Sequence, residues 1–284
     1  MQGVATRCLY VDLDGTLLGK GGSLLHDGEG AVSLEGARAL QTCLRADVEV
    51  VLMSGRRRVE VSELARLFGQ RAYIFEGGAC VVIDAEEHWL TGVRTALSEG
   101  PEGLSVAQQM EREGAPALLL SRYRGRLEYH EPWHRGREAS HLFRGLLDTS
   151  EANRILSEHG HTDVRLFNNG IIRRFPPALA SLQTVHAYHL VPAGVSKAAA
   201  VALHMRARGY APQEALAVGD SRMDLECATE VGAFWLVANA LKQDPELEVA
   251  AAGQPNVYVS ESAHGAGVYE AVVKTLMEGR LSGA

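Results

Sequence analysis

Residues Leu9-Tyr10-Val11-Asp12-Leu13-Asp14-Gly15-Thr16 constrain this chain more than any other segment. An apolar run passes directly into two carboxylates at i and i+2, followed by a glycine and a hydroxyl. The run predicts a buried parallel strand, with Asp14-Gly15 as the turn that ends it. In open α/β sheets, ligands bind in the crevice beyond the carboxyl ends of the strands. Asp12 and Asp14 are therefore expected at that edge, close together. Two carboxylates held so near repel unless a cation or a shared proton intervenes. A hard divalent cation with oxygen ligands, such as magnesium, resolves the repulsion. The alternative is an ordinary aspartate-rich turn.

The flanking sequence alternates strand and helix signals. Ser33 is placed to cap a helix over residues 34–45, and Val48 to Met53 reads as a second buried strand ending at Ser54-Gly55-Arg56. A helix over about 59–68 precedes a third strand, Tyr73-Ile74-Phe75, and its turn, Glu76-Gly77-Gly78-Ala79. This order implies a parallel sheet. From about 86 to 190 the texture changes. A helix is expected over 105–113, strands over 117–123 and 126–130, and helices over 139–147 and 151–159. Asn168-Asn169-Gly170 between two apolar runs is a hairpin signal. Alternation returns after Ser196, with a helix over about 197–208 and a strand, Ala215 to Val218, ending at Gly219-Asp220-Ser221. A further helix is expected near 223–231, then strands over 234–237 and 256–259 and a closing helix over 268–277. The reading is an α/β protein: a Rossmann-like parallel-sheet core, 1–85 and 191–284, with an inserted α+β module, 86–190.

Composition narrows the function. With 284 residues, 46% hydrophobic and 22% charged, the chain reads as an ordinary soluble globular protein. It has no apolar run long enough to span a membrane and no secretory core near Met1, so a cytoplasmic location is expected. The net charge of −7 argues against nucleic-acid binding. Cys8, Cys43, Cys80 and Cys227 are dispersed and read as buried reduced thiols. Lysine is scarce, which draws notice to Lys197 at a helix start.

A parallel sheet brings three polar clusters to one edge: Asp12 with Asp14, Ser54-Gly55-Arg56, and Asp220 with Asp224. Carboxylates supply a metal site, and a hydroxyl, a lysine and turn amides supply a phosphate cradle. That combination suits phosphoryl transfer, with a carboxylate available as nucleophile.

Here the residues carry a resemblance. Asp12-Leu13-Asp14-Gly15-Thr16, Met53-Ser54-Gly55-Arg56, Gly194-Val195-Ser196-Lys197 and Gly219-Asp220-Ser221-Arg222-Met223-Asp224 resemble motifs I to IV of the haloacid dehalogenase superfamily. Their order and spacing are similar to its Cof-type branch, subfamily IIB. The resemblance implies a magnesium-dependent phosphatase acting on a small anionic phosphorylated metabolite, a sugar phosphate or phosphoglycerate-type ester. It implies Asp12 as nucleophile and Asp14 as acid–base, with Thr16 fixing the Asp14 loop. Ser54 and the Gly55 amide would hold phosphate, and Lys197 would neutralise the nucleophile and the phosphoryl group. The magnesium ligands would be Asp12, the Asp14 carbonyl and Asp220, with Asp224 orienting Lys197 or metal-bound water. The inserted module would be a cap that closes over the site and selects the leaving group. A phosphomutase shares this chemistry, and a non-catalytic binding or regulatory protein could keep the fold. Oligomeric state is not legible.

The chain departs from the Cof-type pattern at Met223, where asparagine is common, and at Gly77, where Glu-Asn-Gly is common. Arg56 is placed to touch substrate or a cap carboxylate. His130-Glu131-Pro132-Trp133-His134 matches a zinc-protease pattern, but Pro132 would break the helix it needs, so it reads as a loop. The arginines between Ser121 and Arg144, with at most one of Arg173 and Arg174, read either as an ordinary solvated surface or as a face for an anionic substrate. His186 and His189 read as hinge or surface residues. Lys242, after Asn239-Ala240-Leu241, lies where Cof-type chains approach the site.

Overall fold

The computed structural model describes residues 5–94, 103–172 and 175–281. The chain divides into two compact units, Met1–His88 with Ser196–Ala284, and Trp89–Val195. The second is an insertion between two halves of the first.

In chain order, the first half of the core contains β1 (Cys8–Asp12), α1 (Glu35–Arg45), β2 (Glu49–Met53), α2 (Arg58–Leu67), β3 (Ala72–Phe75), β4 (Cys80–Ile83) and β5 (Glu86–Trp89). The insertion contains α3 (Val106–Glu113), α4 (Ala115–Arg122), β6 (Leu127–Tyr129), β7 (His141–Gly145), α5 (Thr149–Glu158), β8 (Val164–Ile171) and β9 (His186–Pro192). The core resumes with α6 (Lys197–Arg208), β10 (Ala215–Gly219), α7 (Arg222–Leu225), β11 (Ala233–Leu236), α8 (Ala238–Gln243), α9 (Glu246–Ala252), β12 (Val257–Val259) and α10 (His264–Leu281).

Among the described residues the core sheet has eight strands, ordered β12-β11-β10-β1-β2-β3-β4-β5. From β12 to β3 neighbouring strands pair in parallel, and β3 and β4 form an antiparallel hairpin. β1 is central and buried throughout, as a parallel strand covered on both faces must be. Side chains alternate along a strand, so Cys8, Tyr10 and Asp12 share one face. That face meets α6: Tyr10 reaches His204 and Asp12 reaches Lys197. Lys197 and His204 are seven residues apart and so lie on one side of the helix. Ser196 caps α6, its Oγ accepting from the Ala199 amide at 3.0 Å. Gly209, at φ 68°, ends it with amide bonds back to Met205 and Arg206.

Among the described residues the insertion has a four-stranded antiparallel sheet, ordered β6-β7-β9-β8, and three α-helices. Its own buried residues include Leu119, Phe143, Leu156, Tyr188 and Leu190. Several expectations fail here. Residues 117–123 are not a strand but most of α4. Pro116 sits in that helix's first turn, and Gly114, at φ 89°, breaks it from α3. A short leucine run has no periodicity that separates strand from helix, and the flanking proline and glycine decided it. Residues 139–147 are not helical; they contain β7, whose pairing with both β6 and β9 outweighs local preference. Asn168-Asn169-Gly170 does not turn the chain. It lies inside β8 as a register irregularity, with the Gly170 amide bonded to Asn168 Oδ1 at 2.9 Å. The connection to β9 comes later, and the expected placement of Arg173 and Arg174 falls outside the described residues. His189 is no hinge: it is buried in β9 and stacked on Phe167. Residues 130–134 form a turn after β6 rather than a helix, as Pro132 led us to expect.

Candidate active site

The strand order β10-β1-β2 places three carboxyl ends side by side. Asp12 is in register with Met53, so Ser54 follows directly on one flank. Val11 is in register with Val218, which sets Gly219 and Asp220 on the other. Lys197 enters from the first turn of α6. Its Nζ donates to Asp12 Oδ1 and to Asp224 Oδ1, each at 2.6 Å. All three side chains are buried. Asp224 Oδ2 accepts from the Asp220 amide at 3.2 Å, the Ser221 amide at 3.0 Å and Ser221 Oγ at 2.6 Å. Both Asp224 oxygens are thus engaged, one on the lysine and one on the loop that carries Asp220.

Glycine is required where these loops converge. Gly15 has φ +86°, and a Cβ there would stand 2.1 Å from Asp220 Oδ2. Gly78, at φ +104°, lets the β3–β4 turn lie against the Ser196 carbonyl at the start of α6; a Cβ would stand 2.1 Å from that oxygen.

Ser54 is buried and its Oγ accepts from the Arg56 amide at 3.1 Å. The Gly77 amide bonds the Ser54 carbonyl at 3.0 Å, tying the Ser54-Gly55-Arg56 turn to the β3–β4 turn. Arg56 does not stand free for substrate. It grips Asp14 through two parallel hydrogen bonds, Nε to Oδ2 at 2.7 Å and Nη2 to Oδ1 at 2.5 Å. This bidentate pair orients the more exposed of the two motif aspartates. Thr16 is fully buried, yet its hydroxyl has no hydrogen-bond partner among the described residues. The loop is held instead by Arg56 on Asp14 and by Asn239, whose Nδ2 donates to the Gly15 carbonyl at 2.8 Å. Asn239 Oδ1 in turn accepts from the His264 amide at 2.9 Å. Lys242, after the Asn239-Ala240-Leu241 segment, is exposed; the residue that reaches the loop is Asn239. Met223, at the departure in motif IV, is buried as an apolar residue.

The electrostatics follow from crowding. Burial pushes Asp12 up to about 7; Lys197 pulls against that shift, while Asp224 and Asp14 add to it. Burial, then Asp12 and Asp224, push Asp220 well above the usual carboxylate range. Burial works against the Lys197 ammonium, but the two carboxylates outweigh it and hold it protonated. Asp12, Asp220 and Asp224 each present an oxygen within 4.8 Å of the others. Three carboxylates face one lysine, since Arg56 is matched by Asp14. This all-oxygen set with surplus negative charge fits a hard dication.

Away from this edge, the arginines of the Ser121–Arg144 stretch are largely matched inside the insertion. Arg144 pairs with Glu128 at 2.7 Å, Arg135 with Glu131 at 2.8 Å, and Arg122 with Glu151 at 3.6 Å. Arg137 donates to the Trp133 carbonyl at 3.1 Å and Ser140 Oγ at 3.0 Å. The stretch is a charge-balanced surface more than an anion-collecting face. The four cysteines are free and buried. Among the described residues no helix is long and apolar enough to cross a membrane.

No family model matches the chain. The phosphoglycolate phosphatase of Methanoculleus marisnigri is 28% identical over 272 residues, covering 94% of this chain and 96% of the relative. That of Nitrosopumilus maritimus is 24% identical over 221 residues, covering 77% and 78%. The sucrose-phosphatase of Synechocystis sp. PCC6803, solved with sucrose and phosphate, has a similar fold. Its TM-score is 0.64 at 17% identity, over 97% of this chain and 98% of that one. A haloacid dehalogenase-like hydrolase from Bacteroides thetaiotaomicron superposes with a TM-score of 0.60 at 16% identity, over 95% and 99%. The chain thus shares the fold of these haloacid dehalogenase-like hydrolases, a Rossmann-like core in which the four sequence motifs meet at one sheet edge.

Proposed function

We propose that this protein is a magnesium-dependent phosphatase that hydrolyses a small phosphomonoester through an aspartyl-phosphate on Asp12. The observation that carries the reading is the buried Lys197 ammonium bridging Asp12 and Asp224 at 2.6 Å each, beside Asp220. A lysine so placed holds one oxygen of Asp12 and leaves Oδ2 without a hydrogen bond among the described residues. Asp12 Oδ2 attacks phosphorus in line, and Asp14, turned away from Arg56 and protonated from solvent when substrate binds, gives that proton to the departing oxygen. Asp14 then takes a proton from the water that attacks the phosphorus of the aspartyl-phosphate, returning Asp12 and releasing inorganic phosphate. Lys197, Ser54 Oγ and the Gly55 amide bear the charge on the phosphoryl oxygens.

Magnesium, held by Asp12, Asp220 and the Asp14 carbonyl, would supply further charge neutralisation on the phosphoryl group. Asp224 acts as a positioning residue, because both of its oxygens are engaged by Lys197 and the motif IV loop. The inserted unit acts as a cap that selects the leaving group.

Phosphoglycolate is the first substrate to test, because two relatives aligned over most of this chain bear that name. Phosphate release should be measured with phosphoglycolate, sugar phosphates and an aryl phosphate, with magnesium and with a chelator. Magnesium-dependent release is expected, and Asp12→Asn should reduce it about a thousandfold or more. Equal activity in Asp12→Asn would overturn the reading. Preference for a sugar phosphate would move the substrate while leaving the mechanism.

A further inference from the structure

The amino end of the same strands carries a second cluster that the phosphatase chemistry does not use. Cys8 opens β1 and Glu49 opens β2, directly paired in the sheet. His204 comes down from α6, two turns beyond Lys197. Cys8 Sγ, a Glu49 carboxylate oxygen and a His204 ring nitrogen all lie within 4.8 Å of one another. Cys8 and His204 are fully buried. His204 Nε2 has no hydrogen-bond partner among the described residues, and its nearest charged neighbour is Glu49 Oε2 at 3.7 Å. That separation is long for a hydrogen bond. It is close to the spacing of a nitrogen and an oxygen ligand on one tetrahedral ion, about 3.3–3.6 Å for zinc-to-ligand bonds of about 2.0–2.2 Å.

We propose that Cys8, Glu49 and His204 form a second metal site, at the end of the sheet opposite the phosphate site, for a borderline cation of the zinc type. The donors decide the cation. One sulfur, one nitrogen and one oxygen favour zinc or cobalt over magnesium, whereas the Asp12 cluster, all oxygen, favours the reverse.

The surroundings supply the supporting bonds such a site needs. Tyr10 Oη lies 2.8 Å from His204 Nδ1. With Nδ1–H donating to Tyr10, Nε2 presents its lone pair to the ion. Glu49 Oε1 is held by Arg208 at 2.9 Å and Oε2 by the Tyr210 hydroxyl at 2.9 Å, which fixes the carboxylate. Glu49 keeps 20% of its side chain exposed, and a water on that side would supply the fourth ligand. Burial holds the Cys8 thiol protonated without metal. Metal binding therefore forms the metal–sulfur bond and releases one proton to solvent, with no change of oxidation state.

The test is cobalt(II) titration of the full chain in excess magnesium. One equivalent should give a thiolate-to-cobalt charge-transfer band with the intense visible spectrum of a four-coordinate ion. Apparent affinity should rise about tenfold per pH unit while the thiol is protonated. Cys8→Ser should abolish the charge-transfer band, and Tyr10→Phe should weaken binding about 10–100-fold. His204→Gln, which keeps every thiol, should weaken it at least as much. Asp12→Asn should leave the spectrum unchanged. Circular dichroism checks each variant's fold, and zinc should raise the melting temperature of the wild type but not of Cys8→Ser. No charge-transfer band in the wild type, or a band that persists in folded Cys8→Ser, would overturn the proposal.

Discussion

The candidate site rests on single atoms whose replacement has separable consequences. Gly15→Ala places a methyl group 2.1 Å from Asp220 Oδ2 and forces a side chain into φ +86°. It should cost about 1–3 kcal/mol of stability and raise the magnesium concentration needed for half-maximal activity, read by a melt and a metal titration. Asn239→Ala removes the bond to the Gly15 carbonyl but no group that meets substrate. It should lower kcat about tenfold with little change in KM, because the loop that carries Asp14 loses its anchor; an unchanged kcat would show the loop is held elsewhere. Asp12, Ser54, Lys197 and Asp220 were legible as candidates because each sits in a short local pattern at a strand or helix end. The Asn239 anchor was not, since it joins residues 224 apart. Nor was the Arg56–Asp14 pair, whose partners are 42 apart. No local pattern says which arginine turns toward which carboxylate.

At the scale of elements, α6 organises the core. Its cap residue Ser196 fixes where the helix starts, and that start sets Lys197 between Asp12 and Asp224. Two turns on, His204 meets Tyr10 over the same face of β1. In the insertion, β7 behaves differently. It buries His141, whose Nε2 donates to the Ala107 carbonyl at 2.9 Å, among the rings of Tyr129, His134 and Phe143. Burial pushes His141 down from 6.5 to about 4. The folded state therefore favours the neutral ring. Its contribution is complete above about pH 6.5 and is lost as pH falls through about 4, on the order of 2–3 kcal/mol. Denaturant melts between pH 7 and 4 should show this loss, and His141→Phe should flatten it. The misread elements, α4 and β7, are both short and apolar. Their state was set by neighbours in space: a glycine–proline break for one, two flanking strands for the other.

For the whole molecule, the division into two units makes a direct prediction. The insertion has its own buried residues, and its two ends run close: a Cβ on Gly194 would lie 3.7 Å from the Leu90 carbonyl. A unit of this size with its own core meets the ordinary requirement for independent folding. Residues 89–195 expressed alone should therefore melt cooperatively, with native-like near-ultraviolet dichroism. A spectrum without tertiary signal would show that the insertion depends on the core. The sequence placed the return to the core near 191, but β9 continues to Pro192 and the unit closes only at Val195. Hydrophobic patterning alone does not tell which sheet a buried strand joins.

Along the sequence, then, lay the α/β alternation, the inserted segment and the chemistry-bearing residues of the sheet edge. These are written in local order: an apolar run that ends in carboxylates, a serine at a strand end, a lysine at a helix start. The tertiary structure decided what no local pattern encodes. Arg56 serves Asp14, and Asn239 rather than Thr16 holds the loop. Asp224 spends both oxygens on Lys197 and its own turn, and Cys8, Glu49 and His204 converge behind the same strands. Strand order and helix phase set those meetings, because side chains distant in sequence become neighbours only when a sheet fixes its register and a helix fixes its face.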